Sequence, residues 1–97
     1  MLTGIYDLTL ELPSGPMNGT LTLSEQNGSL TGFLQTSSGR FPVRGAAVQG
    51  GFFRLEGTVP TPLGPVRYSA QGEAGSSGLR GRAHTLFGTF PFSGVPR

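Results

Sequence analysis

His84 is the single histidine of this chain, and it alternates with Arg80 and Arg82 along one predicted strand. Side chains two residues apart on a strand stand about 7 Å from each other on the same face. Three nitrogen donors in such a row are chemistry for an anion, phosphate above all, and equally an ordinary solvated face. One His with no Cys offers too few ligands for zinc, so no metal and no cofactor is expected. Asp7 and Glu11 share a face but lie about 13 Å apart along their strand, too far for a hydrolytic carboxylate pair. The serines fall mainly in turn segments, and His84 has no evident acid or nucleophile to complete a triad. Gly75-Ser76-Ser77-Gly78 lacks the lysine of a phosphate loop and leads into no helix. No residue is nominated as catalytic, and the expectation is a protein that is not an enzyme.

The elements that hold these side chains are strands. Tyr6, Leu8, Leu10 and Leu12 alternate with Asp7, Thr9 and Glu11, and the same period of two runs through the chain. Shifted by 49 positions, residues 4–48 match residues 53–97 without a gap. Pro13, Gly15 and Pro16 fall on Pro62, Gly64 and Pro65; Leu30 and Gly32 on Leu79 and Gly81; Gly39, Phe41, Pro42 and Gly45 on Gly88, Phe90, Pro91 and Gly94. Ninety-seven residues make one domain, so two copies of one unit must share a core. Four strands per copy predict an all-β fold. We read it as an eight-stranded antiparallel up-and-down meander that closes into a barrel. The alternative is a two-sheet sandwich, one sheet per copy. Asn27-Gly28 suits a type I′ hairpin; Ser38-Gly39 and Phe87-Gly88 mark a second matched pair of turns, and Gln49-Gly50-Gly51 links the copies. Pro42 and Pro91 remove a ladder donor at matched places and predict a bulge or a split there.

A barrel of eight strands has room for packed side chains or for one small ligand. A cavity, if the inward glycines leave one, is predicted to be lined by Tyr6, Leu10, Phe53, Tyr68 and Phe92. On the outer face, Arg40, Arg44, Arg54 and Arg67 interleave with Phe33, Phe52 and Phe87, a pattern that suits single-stranded nucleic acid. The seven arginines are offset by five acids to a net charge of +2, and cross-strand Arg–carboxylate pairs account for them as well. Nucleic acid is therefore a lesser expectation. Outward apolar residues Ile5, Phe33, Phe52 and Phe87 would form a homodimer contact if they cluster. The N-terminal residues Met1 to Asp7 carry neither a basic region nor an apolar run, which leads to an expected cytoplasmic location and no membrane partner.

Gly4-Ile5-Tyr6, Gly28-Ser29-Leu30-Thr31-Gly32 and Gly45 resemble the rhythm of the calycin-like barrels, streptavidin-like ones above all. The resemblance covers the first half of the chain. It implies a barrel that binds a small molecule in its mouth. Phe87-Gly88-Thr89-Phe90-Pro91-Phe92-Ser93-Gly94 also resembles the end of Gly-rich β domains in uncharacterised bacterial proteins, which implies a fold and no function. The first expectation is thus a non-catalytic binding or structural module capable of self-association. The second is a calycin-like binder of a small apolar ligand, and the third a nucleic-acid binder.

Overall fold

Alternation and short turns produce the strands where they are predicted. The structure is a computed structural model that describes residues 2–97. The strands are β1 (Gly4–Leu12), β2 (Gly15–Gln26), β3 (Ser29–Thr36), β4 (Gly39–Val48), β5 (Phe52–Thr61), β6 (Gly64–Gly75), β7 (Gly78–Thr85) and β8 (Gly88–Pro96). Every neighbour is antiparallel, and β8 returns to pair with β1, closing the barrel in the order β1 to β8. The sandwich is excluded because β4 pairs with β5 and β1 with β8, which joins the two copies along both sides. The starts of β2, β3 and β4 recur in β6, β7 and β8 at the offset of the sequence repeat.

Turn chemistry sets the register. Asn27 and Gly28 both have positive φ, 55° and 83°, as a two-residue type I′ turn requires. The third and seventh turns differ from expectation by one residue: the tips are Ser37-Ser38 and Leu86-Phe87, and Gly39 and Gly88 open the next strands. The cause is the preceding threonine. The Ser38 amide donates to Thr36 Oγ1 (3.1 Å) and the Phe87 amide to Thr85 Oγ1 (3.0 Å), which closes each turn before its glycine.

The two copies fill the interior by exchanging large and small residues across the ladder. Gly4 faces Leu23 in the first copy, while Phe53 faces Gly72 at the equivalent place in the second. Leu8 faces Gly19, while Gly57 faces Tyr68. Each pair keeps one glycine, so an inward ring or branched side chain lies over its neighbour without a clash. Leu23, Leu30 and Phe53 are the most deeply buried large side chains.

Candidate functional site

The barrel has one sealed end and one open end. At the sealed end Leu2, Tyr6, Leu23, Leu30, Phe53 and Leu79 pack together. The N-terminal segment is tied across them: the Tyr6 hydroxyl donates to the Leu2 carbonyl (2.9 Å), the Leu2 amide to Glu25 Oε1 (2.8 Å), and the Glu25 amide to Thr3 Oγ1 (2.9 Å). Phe53 leans on Phe92 with ring centroids 6.3 Å apart, tilted by 56°, a favourable aromatic contact.

The other end is open; all four ladders between hairpins stop short of it, and two of them leave two or more residues of both strands out of the pairing. The β4–β5 pairing begins at Val43, one residue after Pro42, and the β8–β1 pairing begins at Phe92, one residue after Pro91. Proline has no amide hydrogen to give. Beyond these points Thr58–Thr61 pair only with β6, while Glu11 and Leu12 pair only with β2. Of the expected bulge or split, the structure shows a local end of pairing, twice, on opposite sides of the mouth of a barrel that is nonetheless closed.

Inside this mouth is a cavity of about 270 Å³ walled almost entirely by hydrocarbon, from Leu10, Phe41 and Val59 at the rim to Ala70, Ala83 and Phe92 below. Volume is left over because the second copy carries Ala70 and Ala83 where the first has Leu21 and Leu34. Tyr68 and Phe92, larger than their counterparts Gly19 and Val43, reclaim part of it. The uncharged tips around the mouth expose Leu63, Leu86 and Phe87.

Of the five residues predicted for a cavity, Leu10, Tyr68 and Phe92 line it; Tyr6 and Phe53 lie in the sealed end instead. Alternation marks all five as inward, but it carries no information about which end is closed. Ala70 and Ala83 were missed. The signal for them is the comparison of the two copies, which exposes a loss of side-chain volume at matched inward positions.

Tyr68 is the cavity's ionisable group. Burial pushes its phenol up to about 12 from the ordinary 10.0. The Tyr6 phenol is also raised, by burial first and then by the Glu25 carboxylate. A folded-state value above the unfolded one leaves stability intact below about pH 10 and removes it as pH climbs towards about 12. For Tyr68 the total loss is at most about 3 kcal/mol. Urea unfolding near pH 8 and near pH 11.5 should show this fall, and Tyr68→Phe should remove most of it.

The predicted anion row is divided. Arg80 and Arg82 line an outer groove of about 650 Å³ with Arg54, Phe52 and Val48, whereas His84 lines a separate groove with Arg44 and Glu56. Glu73 lies directly across from Arg80 and Gln71 from Arg82. His84 Nδ1 sits 3.0 Å from Thr89 Oγ1. Arg44 pairs with Glu56 across the strands at 3.2 Å, an exposed contact of small energetic consequence. The four outward apolar residues do not all share one face, although Ile5 and Phe33 flank Thr22 on neighbouring strands. Phe87 is at the mouth and Phe52 borders the outer groove beside Val48, its partner on β4. Phe33 lies under the Arg40 guanidinium, 4.1 Å from its ring centre.

No protein-family model and no curated protein matches this sequence. Among solved structures, a redesigned beta barrel is similar over 99% of this chain and 90% of its own, with a TM-score of 0.77 and 15% identity. The class defined by fold and topology is thus the small, closed, up-and-down eight-stranded β-barrel.

Proposed function

We propose that this protein is a non-catalytic binding module that takes one small, neutral, apolar molecule into the open end of its barrel. The observation that carries this reading is the hydrocarbon-walled cavity of about 270 Å³. An apolar cavity of about 150 Å³ holds benzene, so this one has room for a one- or two-ring molecule. Asp7, Glu56 and His84 are exposed on the outer face, away from the cavity, so nothing acidic or basic addresses a bound molecule except the phenol of Tyr68. The resemblance of the first half to calycin-like barrels points the same way, because that family binds small molecules in the barrel mouth.

The test restores in the second copy what the first already has. Ala83→Leu places leucine where the repeat carries Leu34 and fills part of the cavity. Naphthalene, followed by its fluorescence, should bind the natural protein, and Ala83→Leu should weaken it at least about tenfold. The thermal midpoint should move by only a few degrees. Equal binding by both proteins would refute the cavity as the site, as would failure of the natural protein to bind any neutral one- or two-ring molecule, with or without an oxygen.

A further inference from the structure

Most hydroxyls around the mouth are already engaged. Thr36, Thr61 and Thr85 accept from turn amides, and Thr61 and Thr85 also donate to turn carbonyls. Ser38 is exposed at the rim. The Tyr68 hydroxyl differs from all of these. Its ring lies across Gly57, where an added Cβ would come within 2.6 Å of the hydroxyl oxygen. Among the described residues it has no hydrogen-bond partner and its oxygen is not fully buried; Tyr68 lines the cavity and also borders the outer groove of Glu56 and His84. At the other end of the barrel the corresponding phenol, Tyr6, is satisfied by the Leu2 carbonyl.

We infer that the ligand of this cavity is a small apolar molecule bearing one hydrogen-bond-accepting oxygen, a ketone, aldehyde or ether on a one- or two-ring body, oriented by the Tyr68 hydroxyl. This inference rests on the binding reading above. A ligand of pure hydrocarbon would displace the water that satisfies the phenol and strand a polar group in an apolar wall. A carbonyl oxygen replaces that water and accepts the same hydrogen. An anion is disfavoured because no Arg or His lines the cavity to replace its lost hydration. With its phenol raised to about 12, Tyr68 remains a donor across the neutral range, so binding should not vary with pH between about 5 and 9.

The experiment compares tetralin with α-tetralone, which differ by one carbonyl group, on the natural protein and on Tyr68→Phe by calorimetry. The expected result is that tetralin binds Tyr68→Phe more tightly than the natural protein, because no phenol is stranded there. The preference for tetralone over tetralin should fall about tenfold in Tyr68→Phe, one net hydrogen bond's worth. The infrared carbonyl stretch of tetralone should move to lower frequency on the natural protein and not on the variant. Tetralin binding with an unchanged preference would overturn the role of Tyr68 and leave the cavity reading intact. Failure of both molecules to bind the natural protein would overturn both.

Discussion

Gly45→Ala should cost at least about 3 kcal/mol, at or beyond the upper end of ordinary overpacking, while Gly94→Ala should be nearly silent. The two glycines are equivalent by the repeat, so the contrast tests the structure and not the sequence. A Cβ on Gly45 would run into the backbone carbonyl of Arg54 and come within 2.9 Å of the Leu55 Cα. Backbone atoms in a paired strand cannot swing aside as a side chain can. At Gly94 the nearest atoms are the Cβ of Tyr6 at 3.4 Å and that of Leu79 at 3.6 Å, ordinary contact distances. Gly45 therefore marks a tight corner where β4 coils against β5, and its counterpart on the β8–β1 side is relaxed. A domain of this size has about 5–15 kcal/mol of stability in all, so Gly45→Ala takes a large share. Urea unfolding of both variants decides it; equal losses would mean that the two sides close alike. Gly32 and Gly81, in contrast, should both resist alanine, since a Cβ there meets the carbonyls of Thr22 and Gln71, which are themselves repeat equivalents.

The second large effect is expected at the sealed end. Phe53→Ala should destabilise by about 3–5 kcal/mol. Phe53 is only 1% exposed, and its ring both covers Gly72 and supports Phe92. The first copy solves the same place with Gly4 and Leu23, which suggests repair by enlarging Gly72. That repair should fail, because a Cβ on Gly72 also meets the carbonyl of Arg80. Chemical unfolding of Phe53→Ala, alone and with Gly72→Leu, measures both claims. A loss under about 1 kcal/mol for the single variant, or recovery in the double, would contradict this account of the core.

The sequence by itself determined the eight strands and their inward faces. Those are local properties, an alternation of period two and an Asn-Gly turn; the threonine hydroxyls that close the third and seventh turns one residue early show only in the structure. Pro42 and Pro91 marked where the ladder is interrupted, though not whether by a bulge or a split, because proline lacks a donor wherever it stands. The sequence pointed to closure but left the sandwich open; tertiary structure decided between them, and it alone decided that one end is plugged and the other open, and that Tyr6 and Phe53 fill the core while Tyr68 and Phe92 face free volume. Those outcomes depend on pairing between strands far apart in the chain, β1 with β8 above all. They depend also on side-chain volumes summed around a ring, which no single stretch of residues contains.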